Sequence, residues 1–170
     1  MFKPAPPATN RQRIINLSGY TLIEILVSMS IIGLIFSFGY ISYRDFARRQ
    51  SLLGSARRIK ADLSLAQEQA LSGKKPIDPA CSAEGALSGY DFYVKSTTSY
   101  VIQANCAGGL VNDKTVEISS ELTLTAVPNR FTFKVLGKGT SLSAPAIITL
   151  TQAATENIQV ITVSPEGGIK

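Results

Sequence analysis

The stretch SGYTLIEILVSMSIIGLIFSFGYISY, residues 18–43, decides the architecture of this chain. It is apolar over a length that crosses a bilayer, since a spanning helix needs ~20 mostly apolar residues. Its only charged side chain is Glu24, and an ionised side chain at the centre of a membrane helix costs roughly 2.5–3.5 kcal/mol. Because nothing else in the stretch offers an opposite charge, we expect the partner of Glu24 to lie outside it.

The residues that open this stretch, GYTLIE at positions 19–24, stand between a basic segment and the apolar run. In this order they resemble the prepilin processing motif of type IV pilins and type II secretion pseudopilins. The resemblance implies cleavage by a prepilin peptidase between Gly19 and Tyr20, N-methylation of Tyr20, and a role for Glu24 in filament assembly. Tyr20 stands where the family usually has phenylalanine.

Two other interpretations of the same residues stay open. The segment fits an ordinary signal anchor in which Glu24 happens to lie near the membrane interface. Thr21 and Glu24 also have the spacing of a capping box, in which each residue hydrogen-bonds the backbone of the other at a helix N-terminus. Capping and filament assembly are compatible roles for Glu24.

Residues 1–19 differ from an ordinary secretory signal, whose apolar core precedes its cleavage site. They carry Lys3, Arg11 and Arg13 and no acidic residue, which by the positive-inside rule places them in the cytoplasm. Arginines directly after the apolar run oppose this orientation on charge counting alone. The resemblance favours it, and implies a single-pass protein of the bacterial inner membrane with its C-terminal domain outside the cytoplasm.

Charge is distributed unevenly along the chain, whose formal net charge is +5. Residues 44–62 hold six basic and two acidic residues, whereas residues 63–170 hold 8 basic and 9 acidic residues. The basic character therefore belongs to the leader and the segment after the anchor. It is weak support for a nucleic-acid-binding domain.

Residues 44–72 continue the predicted helix in amphipathic form. Apolar residues recur at steps of three and four, as on one face of a helix: Leu52, Ala56, Ile59, Leu63, Ala66 and Ala70. Gly73 follows as a helix-terminating residue. One helix is thus predicted from about Thr21 to Leu71, ~75 Å long at 1.5 Å per residue. Residues 55–71 resemble the corresponding helix of the GspH/FimT pseudopilins.

From residue 73 to residue 170 the chain becomes rich in Gly, Ser, Thr and short runs of β-formers. We predict seven strands, at 90–94, 100–104, 115–118, 122–126, 131–136, 146–151 and 158–163. Turns are predicted at Asn112-Asp113, Pro128-Asn129, Gly137-Lys138-Gly139 and Ala144-Pro145. The fold class is therefore α+β, with the long helix packed on an antiparallel β domain of one sheet or two small sheets. The closing strands again resemble the GspH/FimT domain.

Cys81 and Cys106 are the only cysteines. A compartment outside the cytoplasm favours a disulfide between them; the alternative is a pair of buried free thiols. A metal site is not expected, because the chain has no histidine and two distant cysteines lack the usual ligand pairing.

No catalytic residues and no cofactor are predicted. Without histidine, the usual Ser-His and Cys-His nucleophile arrangements are excluded, and no glycine-rich loop is placed to bind phosphates. The resemblance implies a minor pseudopilin or minor pilin that joins a type II secretion pseudopilus or type IV pilus. Its partners are then the peptidase, other pilins and the inner-membrane assembly platform.

The alternative function is that of a FimT-like minor pilin that binds DNA for uptake. Arg130, Lys134 and Lys138 are the candidate DNA-binding residues, because they follow one another along one predicted hairpin. No alternation of aromatic and basic residues accompanies them, as a platform for single-stranded nucleic acid requires. A solvated strand face explains the same three residues.

Overall fold

The first element is one long helix, and it matches the sequence prediction to within a residue at each end. The computed structural model describes residues 19–82 and 86–170, so the predicted leader, residues 1–19, lies outside the described residues apart from Gly19. Helix α1 spans Leu22–Ser72. No proline interrupts this range, which allows its hydrogen-bond ladder to continue unbroken. The chain divides into two units at the boundary between Ile41 and Ser42.

The described part of the first unit is mainly the start of α1, and its apolar side chains are exposed on every side. From Tyr20 to Ser37 each described side chain is exposed, and the most apolar part of α1 has a mean hydropathy of 2.2 with none of it buried. A helix that is apolar all round needs an apolar environment. This part of α1 therefore fits a single-pass membrane anchor.

The second unit, residues 42–170, contains the hydrophobic core. All six residues of the predicted apolar stripe are buried, at 0–6% exposure. The helix then ends in a Schellman motif, in which the amide of Gly73 bonds the carbonyl of Ala70 and the amide of Lys74 bonds the carbonyl of Gln69. Gly73 has φ +61°, a conformation that glycine adopts at low cost.

The described residues after the helix form seven antiparallel strands, as predicted. They are β1 (Leu87–Ser96), β2 (Ser99–Cys106), β3 (Gly109–Glu117), β4 (Leu122–Val127), β5 (Arg130–Lys134), β6 (Ala146–Gln152) and β7 (Ile158–Val163). They form a four-stranded sheet in the order β3-β2-β1-β5 and a three-stranded sheet in the order β4-β6-β7. The α+β architecture predicted from the sequence is thereby confirmed, with two sheets.

A row of aromatic side chains covers the buried face of the four-stranded sheet. Ring centroids lie 5.4 Å apart for Phe92 and Tyr100, 5.4 Å for Phe92 and Phe131, and 5.5 Å for Phe131 and Phe133. These rings and the α1 stripe belong to one buried cluster. Burial of such large apolar side chains stabilises a fold by roughly 1.5–3 kcal/mol each.

Two local predictions, one of a turn and one of a strand end, were wrong in detail. Asn112-Asp113 is not a turn between strands but lies inside β3, where Asp113 is the extra residue of a bulge between the pairs Ile102–Lys114 and Gln103–Asn112. Asn and Asp are common where a strand bends, so a bulge and a turn share this signal.

The predicted strand 131–136 ends two residues early. Leu136 has φ +58° inside the 3-10 turn Val135–Gly137, a left-handed conformation that no strand accommodates. The Gly137-Lys138-Gly139 turn does reverse the chain, since the amide of Lys134 bonds the carbonyl of Gly139. The returning segment is not a strand, however, and β6 joins the other sheet.

Candidate processing and assembly site

The predicted cleavage site lies just before α1, in exposed residues that belong to no helix or strand. Gly19 and Tyr20 precede the helix and are exposed, Tyr20 at 79%. A Cβ atom added at Gly19 would meet no atom within 4 Å. Packing among the described residues therefore does not require a glycine at position 19.

Thr21 is the N-cap of α1. The amide of Glu24 lies 3.3 Å from Thr21 Oγ1 and 3.1 Å from the carbonyl oxygen of Thr21. This is one half of the predicted capping box. The return bond, from the Thr21 amide to the Glu24 carboxylate, is not among the hydrogen bonds of the described residues.

The carboxylate of Glu24 has no partner within the part of the chain that the structure describes. It lies in the first turn of α1, where a negative charge interacts favourably with the helix dipole, and it is exposed. The interaction of the carboxylate with the dipole is typically worth 0.3–1 kcal/mol. This is small compared with the several kcal/mol that it costs to place an isolated charge in lipid. The side chain is therefore left available to a cation from another molecule.

Two serines of the apolar segment, Ser30 and Ser37, behave differently from Glu24. The Ser30 hydroxyl donates to the Leu26 carbonyl at 2.9 Å, and the Ser37 hydroxyl donates to the Gly33 carbonyl at 2.9 Å. Each hydroxyl is satisfied within its own helix, as a polar group in a bilayer requires. Glu24 differs from these two serines, because no hydrogen bond or ion pair to its carboxylate occurs among the described residues.

Cys81 and Cys106 form a disulfide with their Cα atoms 5.2 Å apart. Cys81 lies in a short 3-10 turn after α1, and Cys106 ends β2. The bond closes a loop with a sequence separation of 25, which in the chain-entropy model stabilises the fold by roughly 3–4 kcal/mol. Both side chains are buried, at 3% and 4% exposure.

We expect the purified protein to contain no thiol that alkylates without prior reduction. The assay is iodoacetamide labelling in denaturant, followed by intact mass measurement. Denaturant is needed because buried free thiols would resist labelling in the folded protein. Reduction before labelling is the control and should add two alkyl groups. Two added groups without reduction would show free thiols and contradict the disulfide.

The three candidate DNA-binding residues are not brought together as a free cationic surface. Arg130 Nε lies 3.8 Å from Asp91 Oδ2, and its guanidinium carbon is 4.9 Å from the centre of the Tyr93 ring. Asp91 is itself 3% exposed and accepts a hydrogen bond of 2.7 Å from Thr132 Oγ1. Arg130 therefore neutralises a buried carboxylate and is less available to a phosphate.

Lys134 and Lys138 are exposed but are also accompanied by an acid. Lys134 is the last residue of β5, and Lys138 lies in the turn after it. Two adjoining hollows, one lined by Lys134 and the other by Lys138, both contain Glu166. A nearby carboxylate weakens the attraction of these lysines for an anionic backbone.

The structure also contains a buried polar cluster that was not predicted from the sequence. Asp62 on α1 is 6% exposed and accepts hydrogen bonds of 2.7 Å from the Tyr100 hydroxyl and 2.7 Å from Lys114 Nζ. Burial and the bond to Asp62 raise the pKa of Tyr100 well above its ordinary value. The cluster connects α1 to β2 and β3. Its one sequence signal was an acid three residues after Ile59, at the edge of the apolar stripe.

The chain matches the family described as the prokaryotic N-terminal methylation motif over residues 16–40. The match covers the predicted cleavage site, Glu24 and most of the apolar segment, and stops before the β domain. No curated protein and no solved structure gave a significant match. The motif supports a type IV pilin-like prepilin, and proteins of this kind are structural subunits rather than enzymes.

Proposed function

We propose that this protein is a minor pseudopilin or minor pilin of the GspH/FimT type, a structural subunit of a type II secretion pseudopilus or a type IV pilus. The observation that carries the proposal is the methylation motif at the start of one 51-residue helix. The first part of that helix exposes apolar side chains, and one face of its second part is buried against the β domain. In this proposal the helix anchors the protein in the membrane with its first part and packs against the β domain with its second part.

In this proposal prepilin peptidase removes residues 1–19 and methylates the amine of Tyr20. Residues 20–43 then anchor the protein in the inner membrane, residues 44–72 continue the helix, and residues 73–170 form the domain outside the cytoplasm. The basic leader supports this orientation. The Cys81–Cys106 disulfide also supports it, because disulfides persist in oxidising compartments.

The partners in this proposal are the peptidase, the inner-membrane assembly platform and other pilins. Glu24 is available to the N-terminal amine of an adjacent subunit. By resemblance, subunits at the very tip of such filaments commonly lack this glutamate, so we place this protein below the tip. The pairing of Arg130 with Asp91 gives the DNA-uptake alternative less support.

The proposal is tested by asking whether the mature protein enters a filament. Filaments sheared from cells should contain the protein with its N-terminus at Tyr20, as shown by immunoblotting and mass spectrometry. Cells that lack prepilin peptidase are the control and should hold only the uncleaved form in the membrane. Protein that is cleaved but never found in sheared filaments, nor cross-linked to another pilin in the membrane, would contradict a structural role.

A further inference from the structure

A hollow on the side of α1 lies among the residues that directly follow the predicted membrane segment. It has a volume of about 230 Å³ and is lined by Glu121 and by five residues of α1: Tyr43, Arg44, Ala47, Arg48 and Ser51. The five recur at steps of one and three, so they share one face of the helix. All of the lining residues belong to the second unit of the chain.

The position of the hollow along α1 places it at the surface of a membrane. The apolar stretch ends at Tyr43, and Arg44 is the first charged residue after it. Arg44 and Arg48 are four residues apart, ~6 Å along the helix axis, and the headgroup layer on each side of a bilayer is ~5–8 Å thick. Tyrosine is enriched at this level, and arginine reaches it with its long side chain. In a membrane, phospholipid headgroups therefore surround this hollow.

The lining residue that does not come from α1 is a carboxylate held by the β domain. Glu121 directly precedes β4, and its carbonyl accepts a hydrogen bond of 3.0 Å from the amide of Ala153. The Glu121 carboxylate accepts a bond of 3.4 Å from Gln152 Nε2, and Gln152 is 1% exposed. Contacts at the end of β6 therefore position this carboxylate at the hollow.

The charges around the hollow balance one another. Arg48 lies 3.6 Å from the carboxylate of Asp45, so the two lining arginines are accompanied by two carboxylates, those of Asp45 and Glu121. A guanidinium has five N–H donors, and one contact leaves donors for the oxygens of a phosphate. A headgroup that carries a phosphate and a primary ammonium has the same balance of charge. A purely anionic headgroup would be repelled by the two carboxylates.

We propose that this hollow binds a phospholipid whose headgroup is phosphoethanolamine. Arg44 and Arg48 bind the phosphate, the hydroxyl of Ser51 is a further donor to it, and Glu121 accepts hydrogen bonds from the ammonium. The bound lipid holds the segment that leaves the membrane at the level of the headgroups. This inference rests on the membrane anchor of the proposed function and does not depend on filament assembly.

The first test is a competition between phospholipids with identical acyl chains for the mature full-length protein in detergent, measured by native mass spectrometry. Phosphatidylethanolamine should be bound about threefold more than phosphatidylcholine, because a quaternary ammonium has no hydrogen to donate to Glu121. It should also be preferred to phosphatidylglycerol, whose headgroup has no cation. Equal binding of the ethanolamine and choline lipids, or a preference for phosphatidylglycerol, overturns the inference and leaves the filament role standing.

Variants of the lining residues test where the lipid binds. Glu121→Gln should remove the preference for the ethanolamine lipid, and Arg48→Gln should lower the binding of both lipids. Arg57→Gln is the matched control, because Arg57 is an exposed arginine of α1 outside the hollow. Thermal unfolding of each variant checks that the fold is kept. An unchanged preference in folded Glu121→Gln overturns the inference.

The second test uses the protein in cells, with a photo-reactive benzoylphenylalanine in place of Ala47. Mass spectrometry after irradiation should show adducts enriched in phosphatidylethanolamine. Phe46 is the matched control position, because it lies at the same depth, is 60% exposed and does not line the hollow. Adducts of the same lipid composition at both positions overturn the inference. An adduct with another protein at position 47, in place of lipid, also overturns it and identifies the hollow as a contact between subunits.

Discussion

Replacing Gly19 by valine is expected to leave the protein uncut, with Met1 as its N-terminus. The peptidase has to bring its catalytic groups to the peptide bond after position 19, and a branched side chain there displaces the backbone. A misplacement of ~1 Å can lower a reaction rate roughly 10²-fold. Intact mass measurement of membrane-extracted protein distinguishes a start at Met1 from a start at N-methylated Tyr20.

Loss of cleavage in Gly19→Val would reflect a defect in processing and not a defect in folding. Gly19 is exposed, lies before α1, and a Cβ atom there meets nothing within 4 Å, so we expect the substitution to leave the packing of the protein unchanged. Gly33→Val is the matched control, because a Cβ atom at Gly33 also meets nothing within 4 Å. Gly33 lies within α1, well away from the predicted cleavage site, so Gly33→Val should be cleaved normally. Normal cleavage of Gly19→Val would refute the cleavage site.

The helix was predictable because its signals are local and periodic. The stripe from Leu52 to Ala70 repeats with the period of an α-helix, and one glycine at position 73 ends it. Each of these features depends on residues within one or two turns of one another. The existence of the seven strands was predictable for the same reason, since each is a short run of β-formers between turn residues.

The pairing of the strands was not predictable, because it depends on residues far apart in the sequence. Nothing near β5 indicates that it pairs with β1 and not with β4 or β6. Gly89 shows the consequence: it has φ +158°, and a Cβ atom there would overlap the carbonyl oxygen of Phe133 on β5. That glycine is explained only once the two strands lie side by side.

The functional residues also differ in whether the local sequence was enough to identify them. Gly19, Tyr20 and Glu24 were identified from one contiguous motif. The Asp62 cluster and the ion pair of Arg130 with Asp91 join residues 38 or more positions apart, so they could be found only in the fold. The ion pair with Asp91 also changes the interpretation of Arg130, from a candidate phosphate ligand to the partner of a buried acid.

Replacing Glu24 by alanine is expected to leave cleavage and the β domain intact but to remove most of the protein from filaments. The carboxylate has no partner among the described residues of its own chain, and in the proposed function the N-terminal ammonium of an adjacent Tyr20 supplies the opposite charge. Leaving one member of a buried ion pair alone costs about 3–5 kcal/mol. Such a cost corresponds to a loss of incorporation of roughly 100-fold or more.

The controls for Glu24 separate pairing from helix capping. Glu24→Asp keeps the charge at a shorter reach and should incorporate better than Glu24→Ala. Ser30→Ala removes a polar group that is satisfied inside α1 and should incorporate like the unmodified protein. The measurements are immunoblots of sheared filaments and cross-linking to neighbouring pilins in cells. If Glu24→Ala enters filaments and cross-links as well as Ser30→Ala, the role of Glu24 is limited to stabilising the first turn of α1.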